Sequence, residues 1–403
     1  MQLVKSLGDK KFIITTIIIL AAFLRLYNLM LKPPFIPDEE VYFRTAEYYA
    51  FGKTNPLYTQ LVGDTVLISQ PNHVNYEHPL LGKLIFAFSL RLFGDSLFSA
   101  RLISALFNIV LVYISYLIAK KIVREDKALL FSFLISIDPL NVSLSRSAML
   151  DSFCLFFFAS GILAYLYARD KNLGFILLSV FFGLAIAVKL TMLPLIITLI
   201  LFSIFEIKRN KILSIPLSLS IVFLVFIITY LPYFYLSTNE KILPQEYHHL
   251  DYGTHNWNDF INLLNWIFLY NFYWHLEKNF YPYLFENPFF YTIQQNGAYQ
   301  MFNANPLIVY AGIALLLIYP YYNTYIKKIN ENYRMLLWLF LPQAILLFIR
   351  GLAWYLIIFD YLSLLIMFTF SPKHGTVSEF FYLLYLLLVF VVDTILLVAY
   401  FLF

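Results

Sequence analysis

Apolar runs of roughly 17–25 residues, long enough to cross the hydrocarbon core of a bilayer, recur along this chain, and a soluble fold has no place for them. Of its 403 residues, 61% are hydrophobic and 13% charged, against about 45–50% and about 25% in a soluble globular protein. The pattern excludes a soluble enzyme, a disordered tail, a nucleic-acid module and a peripheral protein held by one amphipathic helix. It predicts an all-α polytopic membrane protein. The net charge of +4 says little about partners, because the basic residues concentrate in short loops. A single cysteine, Cys154, precludes disulfides within the chain.

Lys5, Lys10 and Lys11 precede a first span at Phe12 to Leu31 that no small-residue cleavage site follows, which predicts a retained helix with a cytoplasmic N-terminus. Further spans are expected at 97–122, 128–142, 148–168, 172–188, 190–206, 212–236, 304–324, 334–350, 352–370 and 377–401, making about eleven. Lys120, Lys121, Arg124 and Lys127, then Arg169 and Lys171, then Lys208, Arg209 and Lys211, then Lys327 and Lys328 all fall on the N-terminal side in this count, as the positive-inside rule requires. The opposite side holds segments 32–96 and 237–303, with His73, His78, His248, His249, His255 and His275. Chemistry is therefore expected on the outer, extracytoplasmic face. The expected organisation is a transmembrane module at 1–236 carrying outer loop 32–96, an outer aromatic loop at 237–303, and C-terminal transmembrane helices at 304–403. Asp38 to Phe51 and His78 to Phe93 read as interfacial helices, opened by Pro37 and Pro79.

The sharpest local signal is Pro37-Asp38-Glu39-Glu40. Three adjacent carboxylates at a membrane surface repel one another, and desolvation raises the pKa of at least one. The same acids also suit a solvated helix N-terminus, where they complement the macrodipole. A second cluster runs Tyr76-Glu77-His78-Pro79-Leu80-Leu81-Gly82-Lys83. Its acid, imidazole and ammonium suit a phosphate or, with Asp38, a divalent cation; a cap by His78 with Lys83 reaching the headgroups is the plainer reading. Charges at the edges of spans are costly and so informative: Arg25, Arg101, Arg146, Asp151, Lys189 and Arg350. Structural ion pairs, for example Arg146 with Asp151 or Asp138, are the alternative for each. Asp360 and Asp393 lie mid-span with no evident partner. In the second outer segment the aromatics and amides suit sugar faces but also an interfacial belt; His275 is singled out of it.

The order of these motifs resembles the dolichyl-phosphate-mannose protein mannosyltransferases of the GT-C superfamily. Arg25 is followed by Asp38-Glu39, then by His78-Pro79-Leu80-Leu81-Gly82-Lys83, with Leu80 at the second proline of the family's histidine motif. Arg101 opens the next span, Arg146-Ser147-Ala148-Met149-Leu150-Asp151 is similar to the fourth-span signature, and Gly183 to Thr191 carries Lys189. Glu77 before His78 looks like a related branch that transfers aminoarabinose to lipid A, in which such a glutamate helps bind a metal; Glu77 is accordingly the candidate ligand for a divalent metal.

The resemblance implies a GT-C bundle and a hexosyltransferase that moves a sugar, mannose in the family, from a polyprenyl- or dolichyl-phosphate donor to an acceptor hydroxyl with inversion. Protein O-glycosylation at Ser/Thr or a glycolipid acceptor fits, on the outer face of a prokaryotic plasma membrane and with no nucleic-acid partner. Phosphate is a good leaving group, so one base and cations suffice. Asp38 is expected as base with Glu39 in support; Arg25, Arg101, Arg146 and Lys189 are expected on the phosphate side. Glu77, His78, Lys83, Asp151 and His275 are expected to shape the substrate pocket. The rival is a lipid-linked sugar flippase or solute transporter, which should show repeats and charges near the midplane.

Overall fold

A computed structural model describes residues 2–30, 37–52, 61–62, 65–66, 78–169, 172–205, 211–235, 256–272, 290–295, 298–314, 331–344, 357–369 and 377–402. Glu77 and His275 lie outside the described residues.

The N-terminal module opens with α1 (Gln2–Leu26) and α2 (Pro37–Phe51). Next come α3 (Leu81–Phe93) and α4 (Leu97–Ile122). Gly94, at φ 96°, ends α3 in a backbone region that favours glycine, and Ser96 N-caps α4 by accepting from the Ser99 amide. The expected span at 128–142 is instead a broken one. Helix α5 (Glu125–Ile137) stops at Asp138, and α6 (Pro139–Ser145) leaves at 54°. Pro139 cannot continue the preceding hydrogen-bond ladder but suits a first helical position. Asp138 caps the new start, accepting from the Asn141 amide at 2.6 Å.

Helices α7 (Asp151–Ala168), α8 (Asn172–Val188), α9 (Pro194–Phe205) and α10 (Lys211–Thr229) follow, with α11 (Leu231–Tyr235) as a short extension. The division expected around Lys189 is present: a single 3₁₀ turn, Leu190–Met192, separates α8 from α9. Within 237–303, α12 (Trp257–Phe272) buries Phe260, Leu263 and Ile267, with Phe260 packed on Tyr230 and Tyr233. Residues 306–314 are helical, and α13 (Glu331–Ala344), α14 (Ile357–Thr369) and α15 (Val377–Leu402) complete the described helices.

Among the described residues, three helices, α4, α7 and residues 379–402 of α15, are each long and apolar enough to cross a membrane; the bent α5–α6 pair makes a fourth. Other expected spans correspond to shorter apolar helices at Leu173–Val188, Leu190–Phe205, Leu213–Thr229 and Asp360–Thr369. The chain is an integral membrane protein built from helices. Two antiparallel hairpins depart from the all-helical expectation: β1 (Leu61–Val62) with β2 (Thr65–Val66), and β3 (Phe290–Gln295) with β4 (Ala298–Asn303). In the second, Gln295 pairs with Ala298, leaving Asn296-Gly297 between the strands, the dipeptide that most favours a two-residue hairpin connection.

Candidate active site

The last carbonyls of a helix have no partner within it, and in α1 they meet a buried arginine. Arg146 Nη1 donates to the carbonyls of Leu24 at 2.9 Å, Arg25 at 3.4 Å and Tyr27 at 2.7 Å, and Nη2 donates to that of Asn28 at 3.2 Å. Asn28 itself takes φ 52°, the left-handed conformation that asparagine tolerates at a helix end. A fixed cation at this position also opposes the negative end of the helix dipole.

At the start of α2 the acidic run divides by exposure. Asp38 is half-buried, Glu39 fully buried and Glu40 7% exposed. Glu39 receives a bidentate pair from Arg101, Nε to Oε1 at 2.8 Å and Nη2 to Oε2 at 2.7 Å, with both side chains inaccessible to solvent. The Ala148 amide adds a third bond to Oε1 at 2.7 Å. Arg101 Nη1 also donates to the Leu29 carbonyl at 3.3 Å. Such fork geometry supplies the extra bonds that a buried ion pair needs to offset desolvation. Glu40 stands differently: burial holds its carboxyl above the ordinary carboxylate range, opposed by Arg44 and reinforced by Glu47. Its nearest approach to Arg44 is 3.8 Å.

Arg25 sits one layer further in. Its Nε donates to Asn108 Oδ1 at 2.7 Å, Nη1 to the Ser136 and Ala21 carbonyls at 2.8 and 3.3 Å, and Nη2 to the Ile135 carbonyl at 3.3 Å. Asn108 passes a bond on to Asn141 of α6. Lys189 reaches from the α8–α9 break to both oxygens of Asp151, at 3.0 and 2.9 Å. Lys83 donates to the His78 carbonyl at 2.6 Å, and the Tyr42 ring of α2 lies 6.0 Å from the His78 imidazole.

The structure thus brings Arg25, Asp38, Glu39, His78, Lys83, Arg101, Arg146, Asp151 and Lys189 into one assembly, but with pairings other than those expected. The sequence reading sets Arg25, Arg101, Arg146 and Lys189 toward a phosphate, with structural ion pairs such as Arg146 with Asp151 or Asp138 as the alternative. Instead these guanidiniums bind Glu39, Asn108 and a row of carbonyls, and Asp151 takes Lys189. The hexapeptide 146–151 is the hub. Arg146 holds the end of α1, the Ala148 amide holds Glu39, and Asp151 holds Lys189. Leu150 lies against Gly82, where a Cβ would stand 2.5 Å from Leu150 Cδ2 and 3.2 Å from Val188 Cγ1; glycine lets α3 settle onto both. Sequence reasoning missed Asn108 and Asn141, whose amides inside an apolar span were the visible signal. It also missed Tyr400 and Phe401, which lie under Arg146 at 5.9 and 4.9 Å from ring centroid to guanidinium carbon.

Among the described residues no group of three or more His, Cys, Asp or Glu side chains is disposed to hold a metal ion.

Residues 77–235 match the family model for dolichyl-phosphate-mannose-protein mannosyltransferase. Over 97% of its length the chain superposes on 55% of the oligosaccharyltransferase of Archaeoglobus fulgidus, with TM-score 0.57 and 14% identity. Over 90% of its length it superposes on 60% of ArnT from Cupriavidus metallidurans, a structure bound to undecaprenyl phosphate, with TM-score 0.55 and 13% identity. The chain has the GT-C fold. A third GT-C structure, the Saccharomyces cerevisiae Pmt1–Pmt2 complex bound to the sugar donor, shares 18% identity over 55% of this chain and 33% of that one, with TM-score 0.43. This GT-C chain spans between a third and three fifths of the length of these proteins. No functionally curated sequence matches it.

Proposed function

We propose that this protein is a membrane glycosyltransferase that moves a sugar, mannose in our reading, from a polyprenyl or dolichyl monophosphate to an acceptor hydroxyl on the outer face. The acceptor we favour is a Ser/Thr side chain. One observation carries the reading: of the three acids opening α2, Glu39 is locked by Arg101 and Ala148 and Glu40 is enclosed on the Arg44 side, whereas Asp38 is the half-buried one. It opens the helix whose Tyr42 faces His78. The relatives support a phosphate-linked lipid donor: ArnT binds undecaprenyl phosphate, and the archaeal enzyme has been captured with a dolichol-phosphate and an inhibitory peptide.

In this mechanism Asp38 takes the acceptor's proton as the hydroxyl oxygen bonds to the anomeric carbon. The bond from that carbon to the phosphate oxygen breaks, and the lipid phosphate leaves with inversion. His78 and Lys83 flank the headgroup. Glu39, Arg101, Arg146 and Arg25 act by holding the end of α1 and the start of α2, and with it Asp38, in place; the Asp151–Lys189 pair supports the opposite wall.

The test is transfer of radiolabelled mannose from dolichyl-phosphate mannose to a Ser/Thr peptide by detergent-solubilised protein. Asp38→Asn should reduce transfer by about 10²-fold or more while leaving the unfolding temperature unchanged. Full activity in that variant sinks the base assignment, and movement of the donor across vesicles without transfer favours a flippase.

A further inference from the structure

The far end of the chain reaches the same site. Tyr400 and Phe401 close α15, lie outside the segment that matches the family model, and belong to none of the motifs in the first half. Their ring centroids lie 5.9 and 4.9 Å from the Arg146 guanidinium carbon, within the distance at which a cation is attracted to an aromatic face. Tyr400 is 1% exposed and stands within electrostatic reach of Arg101 and Glu39 as well as Arg146. The guanidinium is therefore held from two directions. Its N–H groups fan onto the carbonyls of Leu24, Arg25, Tyr27 and Asn28, and its carbon lies over two rings from α15 that stand at 80° to each other.

We infer that Tyr400 and Phe401 are positioning residues of the active site, an aromatic clamp that orients Arg146 and through it fixes the exit of α1 and the placement of Asp38. The inference rests on the transferase reading for its kinetic consequence, but not for the clamp itself. A guanidinium restrained only by carbonyls along one edge is free to tilt out of their plane; attraction to two aromatic rings on a separate helix opposes that tilt. Leucine fills a comparable space without a quadrupole, so it separates the clamp from simple packing. Phe401 is the safer position, being only partly buried.

The experiment uses the full chain in detergent, with dolichyl-phosphate mannose as donor and a Ser/Thr peptide as acceptor. Phe401→Leu should lower kcat by about tenfold or more, with donor KM within about twofold, because a misplaced base loses rate more than binding. Phe401→Tyr should restore near wild-type kcat. Tyr400→Leu and Tyr400→Phe should repeat this contrast. A double-mutant cycle on unfolding temperature, Phe401→Leu with Arg146→Gln, should be non-additive, since either change alone dissolves the same contact. Equal kcat in the leucine and aromatic variants overturns the proposal, and so do additive thermal shifts. If the unmodified protein transfers no mannose yet the cycle is non-additive, the transferase reading fails and the clamp stands.

Discussion

Glu39 is answered by Arg101 and the Ala148 amide, and Arg146 by four carbonyls and two rings. Some two helical turns along α15 from Tyr400, about 10 Å at 1.5 Å per residue, Asp393 belongs to a region built the other way. Asp138, Asp360 and Asp393 are 2%, 3% and 0% exposed, and Asp360 is within electrostatic reach of the other two. Asp138 Oδ2, Asp360 Oδ1 and Asp393 Oδ2 meet no hydrogen-bond donor among the described residues. Arg25 is the cation within reach, facing Asp138, and Asn305 supplies one amide bond to Asp393 at 2.8 Å. One cluster gains order by pairing opposite charges, whereas the other gathers three buried carboxyl groups. The first should be broken by removing any member. The second should tolerate, or gain from, losing one.

The largest effect expected is at Arg101. Arg101→Ala leaves Glu39 charged, buried and bonded only to an amide, which should cost about 3–5 kcal/mol of unfolding free energy and abolish transfer. Chemical denaturation in mixed micelles measures it. A loss under about 1 kcal/mol, the range of exposed pairs, would mean that water reaches Glu39 and that the cluster is not closed. Next comes Arg146→Ala, which strips the α1 terminus of a charged cap, for about 2 kcal/mol. Activity should fall further than stability explains, because the carbonyls released belong to the segment that leads to Asp38.

The contrast is sharpest at Asp360. Asp360→Asn keeps the shape and removes one of three clustered carboxyl groups, so the unfolding free energy should stay level or rise by up to about 2 kcal/mol. Transfer should be retained. A fall comparable to that of Arg101→Ala would reveal a counter-charge that belongs to this cluster.

Much of the cluster around Glu39 was legible, and its pairings were not, for a physical reason. An arginine at the edge of a span announces its cost, so Arg25, Arg101 and Arg146 stand out against 13% charged residues. Most of their acceptors are backbone carbonyls, of α1 and the turn after it and of the last residues of α5, which every helix has and no residue type marks. Tyr400 and Phe401 read as one more aromatic end of an apolar helix, and nothing local ties residue 401 to residue 146. Asp138-Pro139 did carry a legible break, an N-cap followed by proline, but the apolar run on both sides outweighed it, and a straight span was expected. Asn296-Gly297 was overlooked in the same way, beneath an aromatic composition that suggested a belt.

The smallest effect separates two neighbours on α2. Glu39 and Glu40 are adjacent acids, both buried, yet one is forked by an arginine and the other has Arg44 only at 3.8 Å. Burial dominates at Glu40 and holds its carboxyl above its ordinary value of 4.5. The folded state therefore binds the proton more tightly than the unfolded state does, and stability linked to Glu40 is fully present below the ordinary carboxylate range and lost as pH rises through the folded value. Glu40→Gln fixes the neutral form. Its unfolding temperature should match the wild type in acid and exceed it increasingly as pH climbs toward neutrality. A Glu39→Gln variant should show the opposite ordering at neutral pH, because there the charge is what Arg101 binds. Thermal melts of both variants across that range test the pair together. If Glu40→Gln instead falls below the wild type at neutral pH, the Arg44 contact outweighs burial, and Glu40 belongs with the neutralised cluster.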